Sequence, residues 1–164
     1  MHIDIITTGG TIDKDYPHKT KGWAFEIGDP AVLDILERWT IPYSVKVHSL
    51  FKKDSLEITN FDREEIYKFI NKLEVTHIVI THGTDTIIDS GKYFKDKKMD
   101  KTIVLTGAMR PAKFYNTDAL LNIGSAMSAV QVLPNGVYIS INGIVEEIDL
   151  IKRDPEKGCF VPIG

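Results

Sequence analysis

The chain contains very little cysteine, no long apolar run and no strong net charge. Its one cysteine, Cys159, excludes an internal disulfide and a cysteine metal cluster, which agrees with a reducing compartment. No stretch approaches the ~18 apolar residues of a membrane span, and the N-terminus shows no signal-peptide pattern. A formal net charge of −3 gives no electrostatic reason to expect DNA or RNA. We therefore expect a cytoplasmic protein that binds neither nucleic acid nor membranes.

What the chain does contain is a series of apolar runs separated by turn residues. Its length of 164 residues is typical of one domain, so we expect residues 1–164 to form a single domain. The runs, most of them rich in Val and Ile, predict strands buried on both faces. These strands are expected at 3–7, 44–50, 76–81, 101–107 and 136–143, with helices between them at 29–39, 59–73, 86–96 and 118–133. The alternation predicts an α/β fold, Rossmann-like (flavodoxin-like), with a mostly parallel sheet and helices on both faces.

The loops that follow the predicted strands carry most of the reactive side chains. In open parallel sheets, ligands bind at the carboxyl ends of the strands. The first, third, fourth and fifth strands are followed by `TTGGTIDKDY`, `THGTDT`, `TGAMRPAKFYNTD` and `NGIVEEIDLIKRD`. Each loop combines small residues with hydroxyls, carboxylates, amides or cations. The sequence therefore predicts a site at one edge of the sheet.

Two adjacent glycines mark the first of these loops. Gly9 and Gly10 let the backbone take positive φ angles and approach a ligand closely, beside the hydroxyl of Thr11. A tight turn without any ligand explains two glycines by themselves equally well. The loop has neither the three spaced glycines of a dinucleotide site nor a Walker lysine, so we do not expect it to bind phosphate.

The loop `THGTDT` places Thr84 and Asp85 at a predicted helix start, where unpaired N–H groups carry partial positive charge. Helix capping is the ordinary alternative and accounts for one of the two residues, but not for the whole run. His82 is expected to be structural, because no second histidine or carboxylate pattern marks a metal site.

Together the loops contain the groups that acyl transfer requires. A threonine is a weak nucleophile and needs a base, which a lysine of lowered pKa can provide. Lys152 follows the last strand on the same sheet edge, and Asp85 could orient it, although a solvated lysine is the alternative. Backbone N–H groups of the glycine turns could stabilise an oxyanion. A nucleophile, a base, an orienting carboxylate and oxyanion donors indicate acyl transfer.

Three of these motifs, `TTGGTI`, `THGTDT` and `TGAMRP`, resemble in order and spacing those of the bacterial-type L-asparaginase/glutaminase family. The match extends through `NGIVEEIDLIKRD` and corresponds to the N-terminal domain of the family, so we expect its C-terminal domain to be absent here. The resemblance implies hydrolysis of L-asparagine to L-aspartate and ammonia through a threonine acyl-enzyme. It implies no metal and no organic cofactor.

The resemblance also implies roles for single residues. Thr11 matches the nucleophile, and Thr84 and Asp85 match the second threonine and the aspartate that holds the substrate α-amino group. Lys152 matches the lysine of the triad; a one-residue shift would select Arg153, but a guanidinium cannot act as a base. Residues that line the pocket by the same matching are Gly10, Ser55 (for the α-carboxylate), Gly83, Thr84, Asp85 and Ala108.

The chain also departs from the family pattern. In `WAFEIG`, Phe25 stands at the position of the flap tyrosine, and Tyr16 is expected to supply the hydroxyl instead. Leu56 replaces a polar residue that contacts the substrate in many members. Glu146 and Glu147 are either local replacements for an acid from the neighbouring subunit's C-terminal domain or solvated loop acids. With that domain missing, we expect a homodimer.

Two other functions remain open from the sequence. One is a related amidase acting on another small amide, such as L-glutamine. The other is an amino-acid-binding domain without catalysis, although a pure binder would not need two hydroxyls and a base.

Overall fold

A six-stranded sheet forms the centre of the protein in the computed structural model, which describes residues 1–18 and 24–164. Its strands are β1 (His2–Gly9), β4 (Ser44–Lys53), β5 (His77–Thr81), β6 (Thr102–Thr106), β7 (Gly136–Ile141) and β8 (Ile144–Glu147). Their order is β4-β1-β5-β6-β7-β8, parallel except for β8, which is antiparallel to β7. Numbered along the chain, the five parallel strands lie in the order 2-1-3-4-5 of doubly wound, flavodoxin-like sheets. The predicted fold class is confirmed.

Helices cover both faces of this sheet. They are α1 (Ala31–Leu36), α2 (Asn60–Lys72), α3 (Ile87–Asp96) and α4 (Ala119–Val132). Helices α1 and α4 pack with Ile5 and Val79 in one apolar cluster, while α2 and α3 pack with Ile6 and Ile80 in the other. Neighbouring residues of a strand point to opposite faces, so near-continuous apolar strands supply both clusters at once.

Several short elements were not predicted from the sequence. Strand β2 (Lys14–Asp15) pairs with β3 (Glu26–Ile27), and β9 (Ile151–Asp154) pairs with β10 (Cys159–Pro162), both antiparallel. Three 3₁₀ turns lie at Thr11–Asp13, Ser55–Glu57 and Ile148–Leu150. Pairs of two to four residues are too short to show a period of hydrophobicity. Within the described ranges, none of the helices has the length and apolar character needed to cross a membrane.

Candidate active site

The predicted site lies at the point where the strand order reverses, between β1 and β5. The loops after β1, β4 and β5 meet there in direct backbone contact. The Gly10 N–H donates to the Lys53 carbonyl oxygen at 2.9 Å. A Cβ atom on Gly10 would lie 2.4 Å from the Gly83 Cα, and one on Gly83 would lie 2.6 Å from the Ser55 Cβ. Gly10, Gly83 and Ser55 are therefore stacked so closely that neither glycine has room for a side chain.

The first loop also depends on backbone conformations that glycine favours. Gly9 has a φ angle of 98° and Gly10 one of 85°, and an L side chain is strained at either value. Both glycines also approach backbone atoms of other loops too closely for a Cβ atom. The double glycine thus serves a close approach between loops as well as a turn.

This layering brings the two predicted threonines together. Thr11 directly follows Gly10 and begins a 3₁₀ turn, and Thr84 directly follows Gly83 in the turn before α3. Thr84 is buried, whereas Thr11 is half-buried. The loop after β6 closes a further side, since a Cβ atom on Gly107 would lie 2.3 Å from the His82 carbonyl oxygen and Ala108 is buried. The structure therefore groups Gly10, Thr11, Ser55, Gly83, Thr84 and Ala108 at one sheet edge.

His82 supports this arrangement from beneath. Its Nδ1 lies 2.8 Å from the Gly83 carbonyl oxygen, which can only accept, so Nδ1 carries the proton. The Ser90 hydroxyl then donates to Nε2 at 2.9 Å and accepts from the Arg63 Nε at 2.9 Å. Complete burial lowers the pKa of His82 to about 4, so the ring is neutral at physiological pH. The buried chain Arg63–Ser90–His82 fixes the Gly83 carbonyl, a structural role as expected for His82.

Asp13 is a buried carboxyl group of this loop that was not predicted from the sequence. Its Oδ1 accepts the Ala31 N–H at 2.8 Å, and its backbone carbonyl accepts the Gly28 N–H at 2.8 Å. Burial raises the pKa of Asp13 to about 7, against the opposing effects of the Ala31 N–H and the Lys52 charge. Asp13 joins the Thr11 turn to the start of α1. The sequence signal that could have identified Asp13 is its position, since it is an acidic residue two positions after Thr11.

Three aromatic side chains, Tyr16, Phe25 and Phe114, form a cluster in the loops after β1 and β6. The rings of Tyr16 and Phe25 are 5.3 Å apart, and those of Phe25 and Phe114 are 5.7 Å apart. Tyr16 therefore lies beside the residue that matches the flap position, with its own side chain exposed. Its catalytic role stays a prediction. Trp23, which opens the `WAFEIG` segment, lies outside the described residues.

The expected pairing of Asp85 with Lys152 is not found in the structure. Asp85 forms an ion pair with Arg153, the neighbour of Lys152 on β9. Successive side chains of a strand point to opposite sides, so Lys152 and Arg153 cannot both reach Asp85. Within residues 1–18 and 24–164, the Lys152 ammonium has no hydrogen-bond or ion-pair partner. Its role as a base stays a prediction.

The remaining departures lie further out. Leu56 is 74% exposed beside buried Ser55, so its side chain faces solvent. Glu146 and Glu147 lie on β8, three strands away from β5, which places them outside the group around Thr84. Among the described residues, no three His, Cys, Asp or Glu side chains are grouped so that they could hold a metal ion.

Comparison with known proteins identifies the family of this chain. Residues 2–148 match the family described as "Asparaginase, N-terminal". The chain belongs to the asparaginase family. That family is the one to which the three motifs pointed, and the matched residues contain the whole six-stranded sheet and end before the β9–β10 hairpin.

Individual relatives of the family show how far the likeness extends. A glutaminase-asparaginase of Pseudomonas fluorescens is 35% identical over 99% of this chain and 50% of its own length. A glutamyl-tRNA(Gln) amidotransferase subunit of Methanococcus vannielii is 30% identical over 89% of this chain and 35% of its own. The thermostable L-asparaginase of Thermococcus kodakarensis superposes with a TM-score of 0.86 at 24% identity, covering 99% of this chain and 51% of its own. The chain thus spans about half the length, or less, of these asparaginase relatives.

Proposed function

We propose that this asparaginase-family chain is an amidohydrolase that converts L-asparagine to L-aspartate and ammonia. The observation that carries the proposal is the backbone contact between Gly10 and Gly83, which brings the loops of Thr11 and Thr84 together at the strand-order reversal. Two hydroxyls on loops in close backbone contact at this point suit nucleophilic attack followed by hydrolysis. Relatives named as glutaminase-asparaginases support the same class of reaction.

In the proposed reaction, the Thr11 Oγ attacks the side-chain amide carbon of asparagine. The base takes the Thr11 hydroxyl proton as the new C–O bond forms, and backbone N–H groups beside Gly10 and Gly83 stabilise the oxyanion. The base then passes this proton to the amide nitrogen, so that the C–N bond breaks and ammonia leaves. A water molecule then hydrolyses the aspartyl ester, which releases L-aspartate and restores the Thr11 hydroxyl. Thr84 positions this water. We propose Lys152 as the base, because the guanidinium of Arg153 stays protonated at neutral pH.

The proposal is tested by ammonia release from L-asparagine by the purified protein. Thr11→Ala should abolish release, whereas Thr11→Ser should retain part of it, because the serine keeps a hydroxyl. The matched control is Thr76→Ala: Thr76 precedes β5 at the opposite sheet edge, and its hydroxyl contacts the His77 ring. Full activity of Thr11→Ala, or no release by folded wild type at millimolar asparagine, would reject the proposal.

L-Glutamine is the second candidate substrate, because a relative 35% identical to this chain is named a glutaminase-asparaginase. One additional methylene changes binding in a pocket by only ~1–3 kcal/mol, so both amides can be accepted. The same ammonia assay with L-glutamine separates the two candidates. Because another relative is named as a glutamyl-tRNA(Gln) amidotransferase subunit, the assay should also include other small amides.

We also propose that the protein is a cytoplasmic homodimer. Helix α4 carries two strongly exposed apolar side chains, Leu121 and Val132, which association of two copies would cover. Its single cysteine suits a reducing compartment. Sedimentation velocity at several concentrations tests the dimer, and a monomer throughout would reject it.

A further inference from the structure

The ion pair between Arg153 and Asp85 lies directly beside the proposed site, because Asp85 follows Thr84 in the chain. Asp85 directly follows buried Thr84, and Arg153 comes from β9, so the pair connects two different loops at the edge of the site. Both side chains are partly open to solvent, Arg153 at 38% and Asp85 at 43%. The pair is therefore accessible to a small ligand, whereas Gly83 and Ser55 below it are enclosed.

An exposed ion pair of this kind is easily exchanged. Such pairs typically contribute only about 0–1 kcal/mol to stability, because water solvates both charges well. When the pair opens, it presents one carboxylate and one guanidinium next to Thr84. The planar guanidinium can form two parallel hydrogen bonds with a carboxylate, which a lysine ammonium cannot do.

Two other cations close to the site, Lys14 and Lys53, already have partners. The Lys14 ammonium lies 2.8 Å from the Asp54 carboxylate, and the Lys53 ammonium lies 2.7 Å from buried Asp62. Opening either of these two ion pairs costs more free energy, because Asp54 also caps a 3₁₀ turn and Asp62 also takes part in the capping box of α2. Within the described part of the chain, Arg153 is the cation in contact with the residue that follows Thr84.

We propose that Arg153 binds the α-carboxylate of the amino-acid substrate, next to Asp85, for which the family resemblance already implies binding of the α-ammonium group. When the ligand binds, the ion pair opens. Arg153 then pairs with the ligand's carboxylate, and Asp85 pairs with the ligand's ammonium group. This inference rests on the proposed function, because it names the residue that selects α-amino acids for that reaction. It adds a specificity residue, Arg153, to the expected contribution of Ser55.

The experiment is titration calorimetry with three ligands that separate the two charges. L-Aspartate carries both α groups, succinate lacks the ammonium group, and 3-aminopropanoate lacks the α-carboxylate. R153Q should weaken L-aspartate and succinate by about 10-fold, the loss of one charge-assisted interaction, and leave 3-aminopropanoate nearly unchanged. D85N should weaken L-aspartate and 3-aminopropanoate and leave succinate nearly unchanged. The matched control is K157Q, since Lys157 lies in the same hairpin and pairs with Asp154.

Three results would overturn the inference. They are tighter L-aspartate binding by R153Q, an equal loss for all three ligands, and no binding of L-aspartate by wild type at millimolar concentration. The first would mean that Arg153 only competes with the ligand for Asp85. Calorimetry measures binding without turnover, so it tests this inference separately from the proposed reaction. If the variants change binding as expected but the wild type releases no ammonia, the proposed amidohydrolase activity is rejected and this inference stands.

Discussion

The floor of the candidate site (Gly10, Ser55, His82 and Gly83) differs from its rim (Tyr16, Asp85 and Arg153) in how each is held. The floor is fixed by backbone contacts and buried hydrogen bonds, with atoms so close that a single added carbon has no place. The rim consists of exposed side chains that contact each other or solvent. The difference indicates that the floor fixes the two loops that carry Thr11 and Thr84, while the proposals above assign the selection of the ligand to the rim. Substitutions in the floor should therefore reduce stability, and those in the rim should change binding.

Gly10→Ala is expected to have the largest effect. The new Cβ would lie 2.4 Å from the Gly83 Cα, a backbone atom that cannot turn away, at a φ angle of 85°. Strain at positive φ and overpacking each cost about 1–3 kcal/mol, so we expect a loss of about 4 kcal/mol in unfolding free energy. Urea denaturation measures this loss, and any protein that remains folded should release no ammonia.

Gly143→Ala is the matched control for Gly10→Ala. Gly143 has a similar φ angle of 75°, but a Cβ atom there would meet nothing within 4 Å. Gly143→Ala should therefore lose only the unfolding free energy that backbone strain at positive φ costs, about 1–2 kcal/mol. Equal losses in the two variants would show that the contact between the Gly10 and Gly83 loops does not hold the floor together.

Asp13→Asn should be more stable than wild type above neutral pH. The carboxyl has a pKa of about 7 in the folded protein against an ordinary value of 3.8, so the folded state holds this proton more tightly than the unfolded state. The stability of wild type should therefore fall as pH rises from about 4 to 7 and stay level above that. Asparagine keeps an acceptor for the Ala31 N–H without the buried charge, so the variant should not show this fall.

The Asp13 prediction is checked by urea denaturation at pH 5 and pH 8. Wild type should lose about 3 kcal/mol relative to Asp13→Asn between these two values, at ~1.4 kcal/mol per pKa unit. Asp100→Asn, a change at an exposed carboxylate near the opposite sheet edge, is the control for removing one negative charge. If wild type and Asp13→Asn keep the same difference at both pH values, Asp13 does not bind the extra proton in the folded state.

Ser90→Ala should have a smaller effect on the floor. The Ser90 hydroxyl joins the Arg63 Nε to the His82 Nε2, and its removal leaves both buried groups without this partner. An unsatisfied buried polar group costs about 1–3 kcal/mol, so we expect a loss of about 2 kcal/mol. Ser128→Ala, on the exposed side of α4, should change stability by less than about 0.5 kcal/mol. A Ser90→Ala variant as stable as Ser128→Ala would mean that the chain to Gly83 contributes nothing.

The floor was more predictable from the sequence than the rim. Long apolar strands and the loops after them located Thr11 and Thr84, because the position of each strand along the chain follows from local apolar runs. The double glycine was recognised, but its contact with Gly83 depends on two loops more than 70 residues apart in sequence. The pairing of Asp85 with Arg153 was missed, because β9 is only four residues long and its register decides which side chain faces the site.

Arg153→Gln should have the smallest effect on stability and thereby separates the rim from the floor. The ion pair with Asp85 is partly exposed, and pairs of this kind contribute at most about 1 kcal/mol. Urea denaturation should show a change of less than about 1 kcal/mol, in contrast to the larger losses of Gly10→Ala and Ser90→Ala. A loss above about 2 kcal/mol would instead place Arg153 among the residues that hold the site together. Such a result would merge rim and floor into one structural unit, because the same contact would then fix the β9 hairpin and the loop that carries Thr84.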